Sequence, residues 1–247
     1  MSKLMTDILQ TELPYDPLTP RALPGISAMS MQDWLHQDEA FESQMARRDQ
    51  LLSNAYDDVV AMDGQAKEPA QELLDLVVSL AYPNCGSHVV RADGVSVAVD
   101  RDNPLLTLGR LVQEDFCILQ KQGDEHVLTG AVLCFPASWT LSEKFMRPLI
   151  AIHDGVEGYE DGIARRVQRL FDGVKAGKPM WRFNALWYRD SELHQPRSFL
   201  QRRVQPDQKA AEFLRSERQC ILRLPQSGAV VFSIHTYVLA RQDVPGA

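Results

Sequence analysis

Six histidines, a set of arginines and scattered carboxylates are the side chains of this sequence that could do chemistry. His36, His88, His126, His153, His194 and His235 never fall within four positions of one another. No helical pair of imidazoles can therefore grip a divalent metal, whereas an axial ligand to a macrocyclic iron needs only one. His153 ends the apolar run Pro148–Ile152 and precedes Asp154-Gly155. There an imidazole could leave a rigid element and face a cavity, or simply sit satisfied at a helix end. His235 alternates with Ile234 and Thr236 on a strand pattern and could face solvent or the inner side of a sheet, while His36, His88 and His126 read as surface residues. Gly173-Val174-Lys175-Ala176-Gly177-Lys178 looks faintly like a phosphate loop. It is one residue short, and Pro179 stands where a Ser or Thr would hold magnesium. There is no G-x-G-x-x-G after a strand, no G-x-S-x-G elbow and no H-E-x-x-H, so the commonest nucleotide, hydrolase and zinc signatures are missing. Cys85, Cys117, Cys134 and Cys220 are too widely spaced for a zinc or cluster ladder and read as reduced core thiols.

The charges are unevenly spread. The chain totals −7, which argues against nucleic acid as a partner. Arg165 to Arg223 nevertheless holds 14 Lys and Arg against 6 Asp and Glu, a local +8 that leaves −15 for the rest. Trp181, Phe183, Trp187, Tyr188, Phe199 and Phe213 are interleaved with those cations. Basic and aromatic groups together suit a flat anionic ligand such as a haem with its propionates or a nucleotide. A solvated face with ion pairs to the acidic remainder fits equally.

The elements that must position these groups follow from periodicity. Residues 1–29 carry Pro14, Pro17, Pro20 and Pro24 and read as an extended arm. Ser30 resembles a helix cap, and Met31, Trp34, Leu35, Phe41, Met45, Leu51 and Leu52 recur at helical spacing, predicting a helix from Met31 to Tyr56. Glu68-Pro69 opens a second helix that Pro83 stops, so 30–83 forms a helical layer packed on a main domain of 84–247. In that domain Val89 to Val99 reads as a small hairpin around Asp93-Gly94. Strands follow at Asp115–Gln120 and Val127–Phe135, then a helix-rich passage from Leu141 to Val174, then strands at Met180–Tyr188, Gln219–Leu224 and Ala229–Leu239. Five antiparallel strands with helices around them make an α+β fold. The opening Met-Ser-Lys-Leu-Met-Thr-Asp lacks a leader's basic patch and apolar run, and no stretch is long and apolar enough for a bilayer, so a soluble cytoplasmic protein is expected.

Three segments, taken in order, resemble the haem-dependent oxidative N-demethylase alpha-subunit-like family, formerly a domain of unknown function. They are Gln113-Glu114-Asp115-Phe116; then Cys134-Phe135-Pro136-Ala137-Ser138-Trp139 with Lys144 and Ile152-His153-Asp154-Gly155-Val156; and then Leu214-Arg215-Ser216-Glu217-Arg218-Gln219 with Arg223-Leu224-Pro225. The resemblance spans roughly Leu105 to Leu239. It implies a PAS-like five-stranded antiparallel sheet whose pocket holds non-covalent haem b. It also implies oxygen-dependent demethylation of a small secondary amine, dimethylamine, to methylamine and formaldehyde. Electrons come from a separate NADPH-dependent reductase with flavin and an iron-sulfur cluster, for which this chain carries no motif. Carried over, the family's histidine falls on His153 as axial ligand to the haem iron, and its Arg-x-Asn element on Arg182 and Asn184, with Arg182 pairing a propionate. Arg215, Arg218 and Arg223 are further propionate candidates, while Glu217 between them suits an ion-pair network. Glu114, Asp115, Tyr237 and Trp139 are candidates to hold a cationic amine near the iron. The family's tryptophan after the asparagine is displaced here to Trp187, behind Ala185 and Leu186. Two other readings share the architecture: a PAS-like sensor binding haem or another small ligand without turnover, and a structural subunit of an oxidoreductase complex.

Overall fold

The computed structural model describes residues 8–19, 25–152, 161–198, 200–201 and 210–246. Its helices are α1 (Phe41–Asn54), α2 (Tyr56–Val59), α3 (Lys67–Ala81), α4 (Pro104–Leu111), α5 (Leu141–Lys144), α6 (Leu149–Ile152) and α7 (Asp161–Gly173). Its strands are β1 (Ser27–Ala28), β2 (Val60–Met62), β3 (His88–Val90), β4 (Ser96–Ala98), β5 (Asp115–Gln122), β6 (Glu125–Val132), β7 (Met180–Tyr188), β8 (Phe213–Arg223) and β9 (Val230–Ala240).

The main sheet is antiparallel with strand order β1-β7-β8-β9-β5-β6-β2. Its five long strands are the five that alternation predicts, and the α+β class holds. Two short edge strands, β1 and β2, come from the N-terminal third and extend the sheet to seven. They carry too few residues for a period-two pattern to show. The β5–β6 hairpin turns at Gly123, whose φ of 62° is open to glycine at no steric cost.

Helices cover both faces of the sheet. On one face α3 and α4 bury Leu73, Leu74, Val77, Leu105, Leu108 and Leu111 against Phe116, Ile118, Val132 and Val231. A fully buried aliphatic chain of this kind contributes about 1.5–3 kcal/mol, so this contact anchors the layer. On the other face Leu141, Leu149, Phe171 and Val174 pack on Cys117, Leu119, Ala131, Ile221, Val230 and Ile234. Gln10 of the N-terminal arm bridges to Leu239, and its side chain is completely buried. Tyr15 stacks on Phe183 with ring centroids 4.4 Å apart.

The expected helix Met31–Tyr56 is broken. A 3-10 turn occupies Met31–Asp33, and the α-helix starts only at Phe41. Asp38 intervenes, its carboxylate accepting Ala40 N at 3.0 Å and its carbonyl accepting Phe41 N at 3.1 Å. Trp34 is meanwhile drawn into the core, where its indole donates to Ser233 Oγ at 2.8 Å. Strand β8 begins at Phe213, six residues before the expected Gln219. The run Arg215-Ser216-Glu217-Arg218 is too polar to read as strand, yet every one of these residues is buried by tertiary partners. The 14-residue α1 buries a charge of its own, Arg48, which donates to the carbonyls of Gly109, Gln113 and Glu114 and to Asp115 at 2.8 Å. Asp115 in turn caps Cys134 N and Phe135 N. Among the described residues no helix is long and apolar enough to cross a membrane.

Candidate functional site

Cross-strand register places Leu186, Arg215 and Val238 in one row, Asn184, Glu217 and Thr236 in the next, and Arg182, Gln219 and Ile234 in the third. Successive strand side chains alternate faces, so Arg182, Asn184, Arg215, Glu217, Gln219 and Thr236 all project to one side. That is the side of Met180, Ile221 and Ile234, against whose apolar cluster Ile152 of α6 and Phe171 of α7 pack. Here the helix-covered core gives way to a polar patch.

Glu217 lies at its centre, only 5% exposed. Its Oε2 accepts from Asn184 Nδ2 and Gln219 Nε2, each at 3.0 Å, and Asn184 Oδ1 accepts the Glu217 backbone N–H at 3.2 Å. Its Oε1 accepts no hydrogen bond among the described residues. The nearest cation, Arg215 Nη2, is 3.6 Å away and committed elsewhere, since Arg215 donates to Leu193 O at 2.8 Å and Phe135 O at 2.5 Å. Arg182 Nε, Arg215 Nε and Thr236 Oγ1 are likewise buried with no partner among the described residues. Burial pushes the Arg182 guanidinium's pKa down, with the Glu217 charge pulling the other way. A buried polar atom left unpaired costs about 1–3 kcal/mol, and several of those without a partner among the described residues gather on this sheet face.

The other predicted residues are placed differently. Arg218 projects to the opposite face, donating to Trp34 O at 2.9 Å and Asp33 O at 2.5 Å with its guanidinium 5.4 Å from the Trp181 ring centroid. It pins the 3-10 turn onto the sheet. Arg223 donates to Val174 O, Phe171 O and Gly228 O at 2.7, 2.8 and 2.6 Å, tying the C-terminal end of α7 to the β8–β9 turn. Arg182, Asn184 and Arg215 thus share the patch, and the donors of Arg218 and Arg223 are engaged by backbone carbonyls. His153 lies outside the described residues. The residue before it, Ile152, has its carbonyl held by Lys144 Nζ, which also sits 5.5 Å from the Trp139 ring centroid.

A second polar group occupies the opposite face. His235, fully buried, bridges Glu114 Oε1 through Nδ1 and Asp38 Oδ2 through Nε2, each at 3.0 Å. The paired carboxylates outweigh desolvation and raise its pKa to about 9, so at neutral pH it is an imidazolium. Its neighbour His36 meets Tyr237 Oη at 2.6 Å; burial and then the charges of Arg218 and His235 push it down to about 4, which keeps it neutral. Of the residues considered for an amine, Glu114 and Tyr237 therefore belong to this network, and Asp115 is held by Arg48 and the peptide N–H groups it caps. Trp139 packs on the patch side. Two histidines expected at the surface are not there. His126 is 1% exposed, bonded to Gln168 at 2.9 Å and packed on Phe171, and His36 is half-buried. The unpaired oxygen of Glu217 could not be anticipated, because sequence shows Glu217 among arginines but not which strand face each one takes.

The four cysteines are free thiols, three of them buried. No group of His, Cys, Asp and Glu among the described residues is arranged to hold a metal ion by itself. The family model described as haem-dependent oxidative N-demethylase, alpha subunit-like, matches residues 25–246, almost the whole chain. The protein belongs to that family.

Proposed function

We propose that this chain is the haem-binding catalytic subunit of an oxidative N-demethylase, acting on a small secondary amine such as dimethylamine. The observation that carries this reading is Arg182. It is a half-buried guanidinium whose buried Nε has no partner among the described residues, on the sheet face against which the residue preceding His153 packs. A propionate supplies the acceptor that Arg182 lacks, through a charge-assisted hydrogen bond. In this reading the neutral imidazole of His153 ligates the iron of a non-covalent haem b, and Asn184 holds Glu217 at the edge of the pocket. Arg215 and Arg223 stiffen the frame. The apolar cluster of Cys117, Leu119, Ile221 and Ile234 keeps water from one side. Haem when bound supplies the centre at which oxygen is activated, and its surroundings decide between binding and activation. The family's designation as an alpha subunit fits electron supply by a separate reductase carrying flavin and an iron-sulfur cluster. The five long strands, numbered in chain order, lie 2-1-5-4-3 across the sheet with α5 to α7 between the second and third, and this supports the PAS-like reading.

The test is an absorption spectrum of the protein purified with haem supplied. A Soret band is expected, lost or shifted in His153→Ala, followed by oxygen consumption and formaldehyde release with dimethylamine and an artificial reductant. Absence of haem uptake refutes the assignment. Haem uptake without turnover of any amine assigns the chain to sensing instead.

A further inference from the structure

We infer that Glu217 is the residue that recognises the amine, with Oε1 accepting an N–H of the dialkylammonium ion. The inference rests on the haem reading above and adds the determinant of substrate class.

Glu217 is buried, yet half of its carboxylate is unused. Oε2 is saturated by the two side-chain amides of Asn184 and Gln219, which fix the plane of the group and leave Oε1 without a hydrogen bond among the described residues. Its own backbone N–H is taken by Asn184 Oδ1, so the side chain and main chain of Glu217 are held by the same neighbour. Such locking presents one oxygen in a defined direction, as a binding group requires. Asp115 is committed to Arg48 and backbone donors and the half-buried Asp38 to His235; Glu114 holds His235 through Oε1 and has a buried Oε2 with no partner among the described residues, but it lies on the opposite face of the sheet from Arg182, beside the imidazolium. Arg215, 3.6 Å from Oε1, offsets the charge of the carboxylate while its Nη donors remain on two carbonyls, so Oε1 keeps its capacity to accept a hydrogen bond. With a propionate on Arg182 neutralising the other guanidinium of the patch, what Oε1 offers a ligand is that acceptor. Thr236, directly across from Glu217, offers to the same ligand a second oxygen that has no partner among the described residues.

An acceptor of this kind selects for N–H as well as for charge. A secondary ammonium can donate to Oε1, whereas a quaternary ammonium of similar charge has nothing to donate. A charge-assisted hydrogen bond in a buried setting is large enough for a preference of about ten- to a hundredfold.

The experiment uses the full chain with haem supplied, titrated with dimethylamine and with tetramethylammonium while the Soret band is followed, for the wild type, Glu217→Gln and Glu217→Asp. The expected result is an unchanged Soret band and haem affinity in Glu217→Gln, with dimethylamine binding about ten- to a hundredfold weaker. The wild-type preference for dimethylamine over tetramethylammonium should collapse in the same variant, and Glu217→Asp should recover part of it. Equal dimethylamine affinity in wild type and Glu217→Gln overturns the inference while leaving the haem reading intact. So does a preference that survives the substitution. If the wild type takes up no haem, the underlying reading has failed instead. Should Glu217→Gln fail to fold, the wild-type comparison decides alone, and equal affinity for the two ammonium ions overturns the inference.

Discussion

Replacing His235 by alanine tests whether the ion triad of Asp38, His235 and Glu114 holds the N-terminal layer to the sheet. The imidazolium bonds both carboxylates at 3.0 Å, and Glu114 Oε1 also accepts the His36 backbone N–H at 2.8 Å. His235→Ala strands two buried carboxylates without their cation, and loss of one member of a buried ion pair costs about 3–5 kcal/mol. The pH dependence has a definite sign. The folded-state pKa of His235 rises from 6.5 to about 9. Its contribution is therefore fully present below pH 6.5 and is lost as pH climbs through 9. A shift of that size corresponds to on the order of 3 kcal/mol. The downward shifts of Asp38 and Glu114 describe the same contacts from the acidic side and are not added. Urea unfolding followed by tryptophan fluorescence at pH 6, 7.5 and 9.5 measures the difference between wild type and His235→Ala, in which the titration of distant groups cancels. The gap should be several kcal/mol at pH 6 and shrink by roughly 3 kcal/mol at pH 9.5. A pH-independent gap, or one below about 1 kcal/mol throughout, refutes a charged bridge; the low value is what an ordinary surface pair would give.

The two arginines of the basic segment should separate by readout. Arg182→Met should weaken haem uptake about tenfold with little change in the thermal midpoint, because its Nε has no partner to lose among the described residues. Arg223→Met should leave haem affinity nearly unchanged and lower the midpoint, because it removes hydrogen bonds to the α7 and β8–β9 carbonyls, each contributing about 0.5–1.5 kcal/mol. Gly109→Ala should destabilise by about 1–3 kcal/mol in a denaturant melt. A Cβ there would stand 2.8 Å from Val132 Cγ2 and 3.0 Å from Leu52 Cδ1, in the contact between α1, α4 and β6. A neutral result would show that this contact has slack.

Much of the architecture was legible before any coordinates. The long strands announce themselves through alternating apolar residues, as in Met180–Tyr188, and α3 through its Leu73, Leu74 and Val77 stripe. Elements were lost where polar residues are buried by partners distant in sequence. Alternation starts strand β8 only at Gln219, because Arg215, Glu217 and Arg218 look like surface residues until Leu193, Phe135, Trp34 and Asn184 are brought to them. The helix at 31–56 was overextended because Trp34 and Phe41 fall at helical spacing on either side of the turn that Asp38 builds. The candidate site shows the same division. The basic, aromatic character of residues 165–223 suits an anionic flat ligand and an ion-paired face equally. Counting arginines did not distinguish Arg182, with an open donor, from Arg223, whose guanidinium caps a helix.

The sequence alone determined the α+β class, the five long strands, the reduced state expected of the thiols and the family to which the chain belongs. All of these rest on periodicity, spacing and residue order, which are properties of neighbours along the chain. Tertiary structure alone decided which charges are spent inside the fold and which have no partner among the described residues. That depends on which sheet face each side chain takes and on partners far away in sequence, 197 residues for the bridge from His235 to Asp38 and 228 for Gln10 to Val238. A hydrogen bond forms only when folding brings its donor within about 3 Å of its acceptor, and no linear pattern records that distance.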